Sequence, residues 1–227
     1  MKDVYHANME LPKHGLVSFT WGNVSGISRK KGIVAIKPSG VEYEKLKPFK
    51  MVLINMEGKV VYGELRPSVD LPTHLSLYKS FTEIGGVVHT HSPWATIYAQ
   101  SGQDIPALGT THADHFYGSI PCTRALTDEE VMGDYEENTG KVIKETYSER
   151  GLSPLEMPGV IVKNHGPFAF GASPAEAVKN AAILEKVAFM AYHTQRLSEG
   201  RLSEVSPILL KKHYERKHGK NSTYGQR

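Results

Sequence analysis

The sequence predicts a layered α/β fold, because short β-rich runs alternate with longer helical segments along its 227 residues. The runs are separated by glycine, proline and serine, as strands of a compact sheet are. Glu57-Gly58 between two of them is typical of a hairpin turn, so at least part of the sheet is expected to be antiparallel. The predicted strands are residues 17–21, 33–37, 51–55, 59–62, 86–89 and 160–163.

Two helix starts are marked by capping residues. Thr127 and Ser173 each stand three residues before a glutamate, and Pro174 occupies the first helical position of the second segment. The apolar residues that recur at helical spacing and predict one buried face of this second helix are Ala177, Ala181, Leu184, Val187, Ala188 and Ala191. The residues expected to face water are Lys179, Glu185 and Lys186.

Composition restricts the class of protein. The formal charge of +3 is too small to indicate a nucleic-acid or membrane partner, and no apolar stretch approaches the length of a membrane span. A single cysteine, Cys122, excludes an internal disulfide framework, and the N-terminus lacks the apolar core of a signal peptide. We therefore expect a cytoplasmic protein with one domain over residues 1–227. The basic segment 211–220 favours a solvated helix at a subunit edge over a nucleic-acid site.

Three histidines predict a metal site. His89 and His91 close an apolar run and are two residues apart, so both imidazoles project from the same face of a strand. His165 ends a comparable apolar segment, just before Gly166. Three histidines at strand ends, with a fourth position left for water or substrate, are typical of catalytic zinc.

Two carboxylates have more than one interpretation. Asp70 precedes a predicted helix, and on position alone its carboxylate is expected to cap that helix. Asp114 lies in a loop rich in hydroxyl, imidazole and phenol groups. That loop is either hydrogen-bonded to itself or shifts the pKa of a carboxylate that acts in acid/base catalysis.

Three turns rich in small polar residues predict an anion site. They lie at residues 20–25, 37–40 and 67–68, and each alone is most simply a turn. Together they supply backbone N–H groups, hydroxyls and an amide that suit a phosphate. Neither of the glycine-rich nucleotide patterns is present, so the phosphate is expected to belong to a small molecule.

The ordered motifs resemble the class II sugar-phosphate aldolase and epimerase superfamily from near residue 5 to the C-terminus. Within that superfamily the resemblance is to epimerases of L-ribulose 5-phosphate. The motifs are LPKH at 11–14, TWGNVS at 20–25, IKPSGV at 36–41, DLPTH at 70–74, VHTHS at 88–92, GTTHAD at 109–114, IPCTR at 120–124, NHGPF at 164–168 and RKHG at 216–219.

The resemblance implies a role for each matching residue. The implied zinc ligands are His89, His91 and His165, with Asp70 as an additional or intermittent ligand. The residues implied to hold the substrate phosphate are Gly22, Asn23, Ser39, Gly40 and Ser68. Asp114 and Tyr224 are the implied acid/base pair, reaching the metal from a neighbouring subunit. The implied fold is a central, largely antiparallel sheet between layers of helices, assembled as a homotetramer with active sites between subunits.

Asp70 separates the two branches of the superfamily. The aldolases that cleave fuculose or rhamnulose phosphates carry glutamate at this position, so aspartate favours interconversion of L-ribulose 5-phosphate and D-xylulose 5-phosphate. An aldolase that releases dihydroxyacetone phosphate is the alternative. The chain departs from the epimerase pattern at Val69, where a second serine is usual in the phosphate site, and at His115, where tyrosine is common. The N-terminus also begins a few residues late.

Overall fold

The computed structural model describes residues 1–199, 201–219 and 222. Its described part contains a seven-stranded sheet in which all neighbouring strands pair antiparallel. The spatial order is β4-β3-β2-β1-β5-β7-β6. The strands are β1 (Asn23–Ser28), β2 (Ile33–Ile36), β3 (Val52–Asn55), β4 (Val60–Tyr62), β5 (Gly86–His89), β6 (Gly159–Val162) and β7 (Gly166–Gly171).

Helices cover both faces of the sheet. They are α1 (Lys2–Lys13), α2 (Leu71–Ser80), α3 (Pro93–Ser101), α4 (Thr110–Ala113), α5 (Asp128–Met132), α6 (Tyr135–Glu149), α7 (Pro174–Leu197) and α8 (Pro207–His218). Three-residue 3-10 helices lie at Arg29–Lys31, Tyr43–Lys45 and Pro48–Lys50.

The alternation of side chains along each strand divides the core into two main layers. Val88 on β5 packs with Val24 and Ala169 beneath α1 and the start of α7. Its neighbour Val87 joins the larger cluster on the opposite face, which includes Ile143 of α6 and apolar residues of α2. The predicted antiparallel sheet between layers of helices is therefore confirmed.

The first predicted strand is wrong. Residues 17–21 form no strand but contain a turn at residues 19 and 20. Phe19 at φ 55° and Gly22, just after this segment, at φ 73° both interrupt an extended chain. The strand instead begins at Asn23 and runs to Ser28. The other five predicted strands match β2 to β6 within one residue at each end.

Strand β7 has no clear strand signal in the sequence, because its Gly-Pro-Phe-Ala-Phe-Gly segment contains two glycines and a proline. At two of its glycines, backbone from other parts of the chain lies too close to leave room for a side chain. A Cβ on Gly166 would lie 2.7 Å from the carbonyl oxygen of Thr90, and one on Gly171 would lie 2.6 Å from the backbone nitrogen of Ala177. The glycines thus allow β7 to pack closely against the loop after β5 and the start of α7.

The helix starts agree with their capping signals. The Thr127 side chain accepts a hydrogen bond from the backbone of Glu130, and this capping box begins the short helix α5. The Ser173 side chain accepts one from Glu176 at the start of the 24-residue α7. Within the described chain, no helix has the length and apolar character needed to cross a membrane.

Candidate active site

The three predicted histidines converge at one edge of the sheet. His89 ends β5, His91 follows two residues later, and His165 ends the tight turn between β6 and β7. Asn164 before it adopts φ 62°, a left-handed conformation that asparagine tolerates better than most residues. One ring nitrogen from each histidine lies within 4.8 Å of the other two.

Strand register explains this convergence. Asn23 on β1 pairs with His89 on β5, and His89 pairs with Phe168 on β7. Because these strands are antiparallel, the start of β1, the end of β5 and the start of β7 meet at the same edge. The Phe168 ring also stacks on the His89 imidazole with centroids 4.2 Å apart, and this stacking fixes the plane of the imidazole.

The nitrogens are arranged to receive a cation. His89 Nδ1 lies 3.0 Å from the Pro167 carbonyl oxygen, so it carries the proton and donates it, leaving Nε2 with a free lone pair. This Nε2 is 3.2 Å from Nε2 of His91. Two nitrogens bound at about 2.0–2.1 Å to a tetrahedral zinc ion lie roughly 3.3 Å apart. Burial lowers the pKa of His165 to about 3, so its imidazole is neutral. The three histidines can therefore bind a metal ion.

Asp70 does not cap its helix. It occupies the N-cap position of α2, but within the described residues its side chain accepts no hydrogen bond from the helix backbone. Its Oδ2 instead accepts from Asn23 Nδ2 at 2.6 Å and from Ser68 Oγ at 3.2 Å. Asp70 lines the same cavity as the three histidines, and the capping expectation is wrong.

A buried chain of hydrogen-bonded side chains, here called the ladder, connects α2 to β1 next to Asp70. His74, one helical turn later, has its Nδ1 2.7 Å from Ser25 Oγ, which is 2.8 Å from the Tyr78 hydroxyl. All three side chains are fully buried. Asn23 and Ser25 project from the same face of β1, so the ladder fixes the start of α2 against the strand that carries Asn23.

Two of the predicted anion turns are held side by side. The Ser39 backbone N–H donates to Arg66, and the Ser68 N–H donates to the Lys37 carbonyl, each at 3.0 Å. Asn23 Nδ2 also donates to Ser68 Oγ at 3.0 Å, which ties the third turn to this pair. The three turns that looked unconnected in the sequence thus form one wall.

This wall and the histidines enclose a single cavity of about 410 Å³. Every residue implied for metal or phosphate binding lines it: Gly22, Asn23, Ser39, Gly40, Ser68, Val69, Asp70, His89, His91 and His165. A larger groove of about 920 Å³ lies between α1 and α7. His89, His91 and His165, the histidine cluster found among the described residues, do not line that groove. We therefore place the site in the smaller cavity.

Lys37 also lines this cavity, although the sequence alone did not single out its side chain. Its side chain is only 2% exposed, and Nζ donates to the Thr20 carbonyl at 3.2 Å and lies 5.0 Å from the centre of the Tyr43 ring. Burial lowers its pKa to about 8. Among the described residues, the contacts of this buried ammonium are a carbonyl and an aromatic face, so an anion beside it would stabilise its charge.

Tyr135 and Glu136 also line the cavity and were not predicted. They begin α6, and the Tyr135 hydroxyl lies 3.3 Å from His165 Nδ1. Nothing in their spacing marks them, because the contact joins positions 30 residues apart.

Asp114 lies elsewhere, against α8. Its carboxylate accepts two hydrogen bonds from Arg216, at 3.0 and 2.8 Å, and one from His213 at 3.0 Å, with Lys217 Nζ at 3.4 Å. Burial opposes its ionisation, but these partners outweigh burial and lower the pKa of Asp114 to about 2. It does not line the cavity of its own chain. Tyr224 lies outside the described residues.

The fold and site define a class of protein that sequence comparison identifies. Residues 2–192 match the family of class II aldolase and adducin N-terminal domains, and the chain belongs to this family. Its likeness to a solved L-fuculose 1-phosphate aldolase has a TM-score of 0.77 at 22% identity, over 95% of this chain and 96% of that one, which shows the shared fold.

Curated relatives from Salmonella paratyphi A and Salmonella typhi resemble the chain more closely in sequence. Each is described as L-ribulose-5-phosphate 4-epimerase UlaF and is 56% identical over 226 residues, covering 100% of this chain and 98% of the relative.

Proposed function

We propose that the protein is a zinc-dependent epimerase that interconverts L-ribulose 5-phosphate and D-xylulose 5-phosphate. The observation that carries this proposal is that one cavity of about 410 Å³ is lined both by three imidazoles and by the polar wall formed from the three turns. The activity named for the relatives at 56% identity supports the choice of substrate.

The phosphate would bind on the wall formed by the three turns. Lys37 supplies the positive charge, Asn23, Ser39 and Ser68 supply polar side chains, and Gly40 allows close approach of backbone. Val69 contributes no hydroxyl, so this wall has one donor fewer than the serine pair expected at positions 68 and 69. Anchoring the phosphate here fixes the sugar relative to the histidines.

The reaction must break and re-form a carbon–carbon bond. The hydrogen on C4 is not acidic, because the carbonyl is at C2, so simple deprotonation cannot invert C4. Cleavage between C3 and C4, rotation of the glycolaldehyde fragment and re-addition to its other face invert it. His89, His91 and His165, with Asp70 beside them, would hold a zinc ion, and the ion would supply Lewis-acid stabilisation of the developing negative charge.

Asp114 and Tyr224 are proposed to move the protons of the C4 hydroxyl, one on each face of the fragment. Because Asp114 does not line the cavity of its own chain, we infer that a neighbouring subunit supplies it, within the homotetramer that the resemblance implies. The proposed unit is one domain over residues 1–227, acting on a small molecule in the cytoplasm without a nucleic-acid or membrane partner.

The test of activity is conversion of L-ribulose 5-phosphate by the zinc-loaded protein and by a chelated sample. Metal-dependent D-xylulose 5-phosphate with little free dihydroxyacetone phosphate is the expected result. Released fragments without the epimer would instead show an aldolase. His165→Gln should abolish turnover, whereas His14→Gln, on an exposed histidine at the end of α1, is the matched control.

Subunit sharing has its own test. His165→Gln and Asp114→Asn chains, each inactive alone, are co-expressed. If a site combines the histidines of one chain with Asp114 of another, random mixing restores roughly one quarter of the sites. No recovery in mixed tetramers would place both groups on the same chain.

A further inference from the structure

The Tyr135 side chain contacts a ring nitrogen of His165, one of the proposed metal ligands. Its hydroxyl lies 3.3 Å from His165 Nδ1, and its half-buried ring lies 5.9 Å from the imidazole, measured between centroids. It also lines the cavity.

A histidine that binds a metal through one nitrogen is oriented by the partner of its other nitrogen. For His89 that partner is the backbone carbonyl of Pro167. For His165, the hydrogen bonds of the described residues show Tyr135 in the corresponding place. We infer that Tyr135 is the positioning residue of His165: its oxygen accepts the Nδ1 proton and leaves Nε2 to the metal.

The position of Tyr135 is itself fixed by two threonines. Thr139 Oγ1 donates to the Tyr135 carbonyl at 2.9 Å, and Thr73 Oγ1 of α2 donates to the Glu136 carbonyl at 2.5 Å. The first turn of α6 is thus attached to the helix that begins after Asp70. Tyr135 thereby connects the carboxylate side of the site to the turn that carries His165.

This arrangement also directs the tyrosine's own proton. When the oxygen accepts from His165, the O–H of Tyr135 points away from that ring. The side chain borders the cavity, so this O–H is available to donate to a substrate oxygen. Loss of the hydroxyl should therefore affect both metal affinity and KM.

The chain offers a matched pair of variants on the same helix. Tyr135→Phe removes the hydroxyl beside His165. Tyr147→Phe removes a fully buried hydroxyl that donates to the carbonyls of Met157 and Gly159, at 2.6 and 3.0 Å. Zinc dissociation constants come from competition with a chelating indicator, and the visible spectrum of the cobalt-substituted protein reports ligand geometry.

Tyr135→Phe should raise the zinc dissociation constant by about 10-fold or more and shift the cobalt spectrum. Tyr147→Phe should lower stability yet keep the wild-type spectrum and zinc affinity. Wild-type affinity and spectrum in Tyr135→Phe would overturn the inference, as would equal losses of affinity in both variants.

The inference rests on the proposed metal site, but its failure can be told apart from failure of the proposed reaction. A wild-type protein that binds no zinc would overturn both. One that binds zinc tightly without converting L-ribulose 5-phosphate would refute only the reaction, and the two variants would still decide the role of Tyr135.

Discussion

Replacing Glu185 should destabilise α3, the helix that follows β5. Glu185 lies on α7, and its two carboxylate oxygens accept hydrogen bonds from the backbone N–H groups of Trp94 and Ala95, each at 2.9 Å. Ser92 occupies the N-cap position of α3, but among the described residues its side chain forms no capping bond. Pro93 has no N–H, so Glu185 satisfies the first two available donors of α3.

The magnitude follows from these two contacts. A hydrogen bond to a charged group contributes about 1.5–3 kcal/mol, so allowing for partial exposure Glu185→Ala should cost about 3 kcal/mol. Glu185→Gln keeps one accepting oxygen and loses the charge, so it should cost roughly half of that. For a chain of this length the alanine variant should melt roughly 6–12 °C lower.

The assay is urea unfolding followed by circular dichroism, with the slope of the transition checked against wild type. The control is Glu145→Ala, which removes a carboxylate whose side chain is 44% exposed and ion-paired with Arg124. An exposed pair of this kind contributes about 0–1 kcal/mol. If Glu185→Ala loses no more stability than Glu145→Ala, the carboxylate is not acting as the cap of α3.

Three further predictions concern the cavity and α8. Val69→Ser restores a hydroxyl beside the phosphate wall and should lower KM for the sugar phosphate about 2- to 10-fold, measured in steady-state kinetics. Zinc at about 100 times its dissociation constant should stabilise the protein by about 2.7 kcal/mol, and chelation should reverse the rise in Tm. The pKa of Asp114, lowered to about 2, gives stability that is present above the ordinary value of 3.8 and is lost as the pH falls toward 2. Asp114→Asn should therefore lose less stability than wild type between pH 5 and pH 3 in urea titrations.

The clustering of His89, His91 and His165 was predictable because its signal is local. Two histidines with strand spacing must share a face, and a third at a strand end needs only the sheet to bring it near. The three polar turns were predictable as turns, but their assembly depends on pairing between residues such as Lys37 and Ser68, which lie 31 positions apart. Such pairing follows from sheet topology, which a single sequence does not specify.

The features that sequence reasoning missed depend on distant contacts. Lysine is rarely buried, so composition predicts Lys37 at the surface, and only its packing against Tyr43 and Thr20 places it inside. Helical periodicity predicts that Glu185 faces water, because that pattern describes one helix alone. The donors that it meets belong to α3, some 90 positions away.

The basic side chains of the C-terminal helix α8 contact the rest of the protein, although their sequence pattern predicts a solvated helix. Segment 211–220 reads as a solvated helix, and within the described residues of α8 only Tyr214 is buried. Yet Arg216 and His213 bind the Asp114 carboxylate, so α8 is attached largely through polar contacts to the proposed acid/base group. α8 ends at His218, six positions before Tyr224. One short stretch of chain therefore both positions the first proposed proton-transfer group and leads to the second.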